Sequence, residues 1–223
     1  MNANYAIIVA GGNGSRMKSE TPKQFIHLNG VPMIMHTINA FYFNETKPNI
    51  ILVLAKADVE LWQSLIAQHQ FDIPHQIIFG GKERFHSVQN GLNAIENKNA
   101  VIAIHDAVRP LVSQKTITNC FINAAKNGNA IAAIPSKDSV RCLINGKSQA
   151  LNRKEIYLVQ TPQTFTYEQL NVAYHQNFES FFTDDASVVE KAGFHINLEN
   201  GDDFNFKITF KEDLILAEAL LNA

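Results

Sequence analysis

Tyr5-Ala6-Ile7-Ile8-Val9-Ala10, running directly into Gly11-Gly12-Asn13-Gly14-Ser15-Arg16-Met17, decides how the rest of the chain is read. An uncharged apolar run without alternation suits a strand covered on both faces. Three glycines in the next four residues let backbone N–H groups approach a phosphate closely, and a following helix N-terminus adds a favourable dipole. Further along, Asn49–Ala55, His75–Phe79, Ala100–His105 and Ala130–Pro135 are strand-like runs of the same kind. Helical patterns lie between them at Met33–Tyr42, Val59–His69, Arg84–Ile95 and Gln114–Lys126; Val88, Leu92 and Ile95, for example, share one face. This alternation predicts an α/β fold with a mostly parallel, doubly wound sheet.

The alternation breaks between Lys137 and Val159, where Asn145-Gly146 separates two strand-like runs. That is a hairpin signal, and it predicts an arm over about residues 137–157. A hairpin with little core of its own packs on something else, often a second subunit. Helices near Tyr167–His175 and Asp185–Ala192, a strand at His195–Glu199 and a helix from about Glu212 complete the reading. No repeat divides the chain, so residues 1–223 are expected to form a single domain.

Composition narrows the function classes. The 223 residues are 46% hydrophobic and 18% charged, with a formal net charge of −2. No global positive field draws the chain to nucleic acid or an anionic membrane. No apolar run reaches the ~18 residues of a membrane span, and no secretory signal precedes the first strand. A soluble, cytoplasmic protein is expected, with Cys120 and Cys142 as inert thiols.

Four segments carry candidate chemistry. In the first, Arg16 and Lys23 add cations to the glycine turn Ala10–Gly14. The pattern is neither GxxxxGK(S/T) nor GxGxxG, so a tight turn with solvated cations is the competing reading. The second is His105-Asp106-Ala107-Val108-Arg109-Pro110, at the carboxyl end of a strand, where ligands bind in open α/β sheets. Asp106 there suits Mg²⁺, which takes one or two carboxylates plus substrate phosphates; a salt bridge to Arg109 or a turn cap is the alternative. His105 is expected to be a hydrogen-bonded structural residue. The third is Gly80-Gly81 followed by Arg84 and Ser87 in a helix's first turn, suited to a base or ribose. The fourth comprises Asn152-Arg153, Thr161–Phe165, the cap-like Thr183–Ser187 and Asn205–Thr209. By residue pattern alone, Lys207 is a solvated edge-strand lysine. Zinc, metalloprotease and GxSxG hydrolase motifs are absent.

Taken together, AGGNGSRM, TPKQF, GGKERFHSV, IHDAVRP, NR…TPQTF, FTDDASVVEKAGFH and NFKIT resemble, in order and spacing, the 2-C-methyl-D-erythritol 4-phosphate cytidylyltransferases of the non-mevalonate isoprenoid pathway. The resemblance implies a Rossmann-like nucleotidyltransferase fold and a homodimer built through the arm. It also implies CTP as substrate, Mg²⁺ (or Mn²⁺) as cofactor and transfer of CMP with release of pyrophosphate. By the same resemblance, Ala10, Gly11, Gly12, Asn13 and Gly14 wrap the triphosphate, and Arg16 and Lys23 stabilise the transition state. Gly80, Arg84 and Ser87 recognise cytosine and ribose; Asp106 binds the metal, with Ala107 and Arg109 beside it. Ser139, Arg153, Thr161 and Lys207 hold the polyol phosphate, Arg153 and Lys207 with catalytic roles. Asn152 departs from the aspartate common in relatives. The rivals are a ribitol 5-phosphate cytidylyltransferase, a non-catalytic nucleotide-binding module and, more distantly, a Rossmann dehydrogenase. Ser87-Val88 and Asp185-Ala186-Ser187 favour the methylerythritol type over the first.

Overall fold

The structure is a computed structural model that describes residues 3–11 and 21–222. In chain order its strands are β1 (Ala3–Val9), β2 (His27–Leu28), β3 (Val31–Pro32), β4 (Asn49–Leu54), β5 (Gln76–Phe79), β6 (Ala100–Asp106), β7 (Asn129–Pro135), β8 (Arg141–Ile144), β9 (Lys147–Ala150), β10 (Tyr157–Thr166) and β11 (Leu198–Asn200). The α-helices are α1 (Met33–Tyr42), α2 (Val59–His69), α3 (Arg84–Asn93), α4 (Gln114–Asn127), α5 (Tyr167–Ala173), α6 (Asp185–Lys191) and α7 (Lys211–Leu221). Seven strands form one sheet in the order β11-β7-β10-β6-β1-β4-β5.

Period-two alternation sorts the strand residues between two cores. Ala6 and Ile8 of β1 and Val101 and Ala103 of β6 face α1, α2 and α4, packing with Ile38, Phe41, Trp62 and Phe121. Ile7, Ile102 and Ile104 face the other way, onto Phe85, Val88 and Leu92 of α3, Leu170 of α5 and Val189 of α6. All seven residues of β6 are buried, which explains the unbroken apolar runs. Each fully buried Ile or Leu contributes about 1.5–3 kcal/mol. α3 packs tightly on the sheet at Gly91, where a Cβ would stand 2.9 Å from Ile7 Cγ2 and 3.2 Å from Val53 Cγ2. A larger residue there would push helix and strand apart.

The structure corrects several expectations. β10 was not expected as a strand, because Gln160, Pro162 and Gln163 interrupt its apolar pattern and proline demotes a run. It lies between β6 and β7, antiparallel to both, so the sheet is mixed. Its pairing with β7 shifts register between Val159 and Gln163, a bulge of the kind that re-aims side chains beside functional sites. α3 ends at Asn93 rather than Ile95, and the strand expected at His195–Glu199 is Leu198–Asn200. Residues 205–209 form no strand, so the edge-strand reading of Lys207 fails. The hairpin is present: β8 and β9 pair antiparallel, and Asn145 and Gly146 have φ of 49° and 75°. Positive φ at both turn residues is what a type I′ hairpin requires. Among the described residues, no helix is long and apolar enough to cross a membrane. Both cysteines are free thiols; Cys120 is buried, and burial pushes its pKa up to about 12.

Candidate active site

Two cavities lie at the carboxyl ends of the central strands. One, of about 390 Å³, is lined by Ala10 and Gly11 after β1, Lys23 and Gln24, Gly81–Arg84, Ser87, Asp106 and Lys207. The other, of about 310 Å³, is lined by Arg109, Gln160, Thr161, Gln163 and Asp184. Arg84, Asp106 and Lys207 line both. The sheet topology explains the meeting: β1 and β6 are adjacent and parallel, and Val9 pairs with Asp106 at their ends.

Asp106 is the electrostatic centre. Its Oδ2 lies 2.9 Å from Lys207 Nζ and 3.6 Å from Arg109 Nε, and its Oδ1 lies 3.5 Å from Arg84 Nε. Burial alone would raise its pKa, but Arg84, Lys207 and Arg109 outweigh it and hold the carboxyl well below the usual range. Asp106 is therefore an anion embedded in cations.

A polar frame fixes it. The Asp106 backbone N–H donates to Thr161 Oγ1 at 3.1 Å, and that hydroxyl lies 3.0 Å from His105 Nδ1. His105 Nε2 is 3.1 Å from the Arg109 carbonyl. A carbonyl only accepts, so Nε2 carries the proton and Nδ1 accepts from Thr161. Burial pushes His105 down to about 4, so it is neutral at pH 7, matching the structural role expected of it. Asn205 Nδ2 donates to the Thr161 carbonyl and Arg109 Nη1 donates to the Asn205 carbonyl, both at 2.7 Å. These bonds bring the segment carrying Lys207 onto Asp106. Gln24 Nε2 donates to the Ala10 carbonyl at 2.9 Å and to Asp58 at 3.0 Å, tying the Lys23 turn to the end of β1.

Several expected site residues hold other partners. Arg84 spends both terminal nitrogens on Asp185, at 2.7 and 2.8 Å. Ser87 Oγ accepts from Gly81 N–H at 3.1 Å and donates to the Glu83 carbonyl; it shapes the Gly80-Gly81 turn. The Thr161 hydroxyl is committed to the Asp106 frame. Ala107 is buried, its N–H donating to the Val9 carbonyl at 3.0 Å. Arg153 and Ser139 are exposed and line neither cavity; Arg153 donates to the Lys137 carbonyl at 2.9 Å. Gly12, Asn13, Gly14 and Arg16 lie outside the described residues. Sequence reasoning gave Gln24 no role, and it placed Gln163 and Asp185 in candidate segments without assigning either one. Asp184 and Ser187 form the capping box of α6, and that motif, visible in the sequence, masked the different use of Asp185.

The sequence profile of the 2-C-methyl-D-erythritol 4-phosphate cytidylyltransferases matches residues 4–223. The chain belongs to the 2-C-methyl-D-erythritol 4-phosphate cytidylyltransferase family. It is 48% identical to the family's protein from Bacteroides fragilis over 97% of this chain and 98% of that one. It is also 48% identical to that from Azobacteroides pseudotrichonymphae, over the whole of both. The crystal structure of 4-diphosphocytidyl-2C-methyl-D-erythritol synthase from Anaerococcus prevotii superposes with a TM-score of 0.85 at 26% identity, covering 100% of this chain and 97% of that one. That of the Thermus thermophilus cytidylyltransferase does so at 0.78 and 26%, covering all of both chains.

The divalent cation implied by the resemblance to this family is testable against the residues present. Among the described residues, no group of three or more His, Cys, Asp or Glu side chains is arranged to hold a metal. A full protein cage is not required, because Mg²⁺ takes most of its ligands from phosphates and water. Asp106 fits that pattern: its carboxyl is held ionised, and among the described residues the ion pair to its Oδ1 is the 3.5 Å contact from Arg84 Nε, which leaves lone pairs for an ion.

Proposed function

We propose that this protein transfers CMP from CTP to 2-C-methyl-D-erythritol 4-phosphate, giving 4-diphosphocytidyl-2-C-methyl-D-erythritol and pyrophosphate for isoprenoid precursor synthesis. The observation that carries the reading is the family match along residues 4–223. The geometry agrees with it, since two adjoining cavities share a wall of Arg84, Asp106 and Lys207, as a donor and an acceptor phosphate meeting at one point require.

An oxygen of the acceptor phosphate attacks the α-phosphorus of CTP. A new P–O bond forms, the α–β bridging P–O bond breaks, and its electron pair leaves on pyrophosphate. No general base is needed, because a phosphate monoester with a second pKa of about 6 is mostly ionised at neutral pH. The barrier is repulsion between two anions, and cations placed beforehand lower it. In this reading Gly11, with Gly12, Asn13 and Gly14 of the same motif, receives the triphosphate. Lys23 and Arg16 stabilise charge at the α-phosphate. The Gly80-Gly81 turn, fixed by Ser87, offers backbone groups to the pyrimidine. Lys207 orients the acceptor phosphate. A divalent cation held by Asp106 would supply further charge neutralisation there. A homodimer in the cytoplasm, with Ser139 and Arg153 of the arm reaching a neighbouring subunit's acceptor, completes the proposal.

Phosphorus NMR of CTP with the acceptor tests it. Conversion of the triphosphate signals into a diphosphate diester and pyrophosphate is expected; hydrolysis to CMP, or no change, contradicts the reading.

A further inference from the structure

Asp185 is a buried carboxylate that helix α6 does not need. Asp184 and Ser187 already complete the capping box, and the Asp185 side chain is 0% exposed. Burying a carboxylate is costly unless it is paired and hydrogen-bonded. Here it receives both terminal nitrogens of Arg84, at 2.7 and 2.8 Å, and the Tyr174 hydroxyl at 2.6 Å. Burial acts to lower the Arg84 pKa, but Asp185 and then Asp106 raise it above its ordinary value, so the guanidinium stays charged. Tyr174 is pushed above its ordinary pKa, first by burial and then by Asp185, so its hydroxyl keeps the proton it donates.

The arrangement acts on the site through one distance. Arg84 lines both cavities, and its Nε stops 3.5 Å from Asp106 Oδ1, whereas Lys207 closes to 2.9 Å on the other oxygen. The guanidinium fork fits a carboxylate bidentately, and Asp106 is the next carboxylate within its reach. From this geometry we infer that Asp185 and Tyr174 are positioning residues for the transfer reaction: they clamp the Arg84 fork and keep it from closing on Asp106. The inference rests on the proposed function. With Asp185 neutralised, Arg84 turns its fork to Asp106, covers Oδ1 and intrudes where the two cavities adjoin. Turnover falls, while CTP binding holds, because the site has lost a negative charge.

The test is steady-state kinetics with CTP and 2-C-methyl-D-erythritol 4-phosphate on four proteins: wild type, Asp185→Asn, Arg84→Met/Asp185→Asn and Tyr174→Phe, each checked for native circular dichroism. Asp185→Asn is expected to lose about 10²-fold in kcat, the cost of a misplaced group at a reacting centre, with KM for CTP unchanged or lower. Adding Arg84→Met removes the freed cation and is expected to raise kcat above that of Asp185→Asn alone. Tyr174→Phe keeps both charges and is expected to lose on the order of tenfold in kcat. A tie between α3 and α6 that is structural only predicts the opposite: further loss in the double variant, and kcat and KM worsening together. That result, or wild-type kcat in Tyr174→Phe, overturns the inference. If Asp185→Asn does not fold, the Tyr174→Phe result decides alone. An active wild type with any contrary variant result sinks the clamp only; an inactive wild type sinks the proposed function and the clamp with it.

Discussion

Lys207 Nζ lies 2.9 Å from Asp106 Oδ2, although nearly half the chain separates the two residues. Asn205 makes the meeting possible by bonding back to Thr161 and Arg109. The ammonium sits where the two cavities adjoin, which is where the proposed reaction puts the acceptor phosphate.

Lys207→Met is expected to cut kcat by on the order of 10²–10³-fold, the usual cost of one donor at developing charge. Its side chain is 37% exposed, so the melting temperature should move little. Asp106→Asn should behave differently, because it leaves Arg84, Arg109 and Lys207 without their shared anion. Breaking a buried ion cluster costs about 3–5 kcal/mol, so a clear drop in melting temperature should accompany lost turnover. A stable, active Asp106→Asn enzyme would remove Asp106 from the centre of the site.

Lys23→Ala separates binding from chemistry. Lys23 lines the larger cavity, and its charge counts most where negative charge builds up at the α-phosphate. Turnover should fall on the order of 10²–10³-fold with a much smaller change in KM for CTP. A raised KM at unchanged kcat would make it a ground-state binder.

His105 gives the fold a pH dependence of definite sign. An ordinary imidazole titrates near 6.5, and burial lowers His105 to about 4. As pH falls, the unfolded chain takes up the proton first. The contribution is therefore complete above about pH 6.5 and is lost progressively between there and about pH 4. By linkage, stability should drop about 2 kcal/mol between pH 7 and pH 5 from this residue. Urea denaturation at both pH values checks it, and His105→Asn should flatten the difference. An equal change in stability between the two pH values in both proteins would mean that His105 takes up its proton in the fold as readily as in the unfolded chain.

The sheet's parallel core and its helices were legible because β1, β4 and β6 are covered on both faces and leave unbroken apolar runs. β10 was not, since the bulge at 160–162 that turns Gln160 and Thr161 towards the site also breaks the pattern that would announce a strand. Asp106 was legible from its place at a strand end, as was the hairpin from Asn145-Gly146. Lys207 was legible only through the family resemblance, because its partner comes from a distant segment and no local periodicity encodes an ion pair. Arg84 and Ser87 were visible as polar residues beside a glycine turn. That Asp185 holds Arg84, and Gly81 holds Ser87, follows only from packing.

Arg153 stands outside both cavities, and Leu143, Ile144, Tyr157 and Leu158, within and beside the same arm, are exposed apolar side chains. If the arm completes a partner's site, mixing inactive Lys23→Ala and Arg153→Ala subunits under exchange should restore activity. Random pairing makes half the dimers mixed, each with one intact site, so recovery should reach roughly a quarter of wild type. No recovery after confirmed exchange would place Arg153 outside the reaction or in its own subunit's site.

Cytidylyl transfer to one particular acceptor is measured directly by pyrophosphate release with CTP and purified protein. Release is predicted to depend on 2-C-methyl-D-erythritol 4-phosphate, with ribitol 5-phosphate a poor substitute and ATP a poor replacement for CTP. Release that is equal or faster with ribitol 5-phosphate, or absent with both acceptors, would contradict the account.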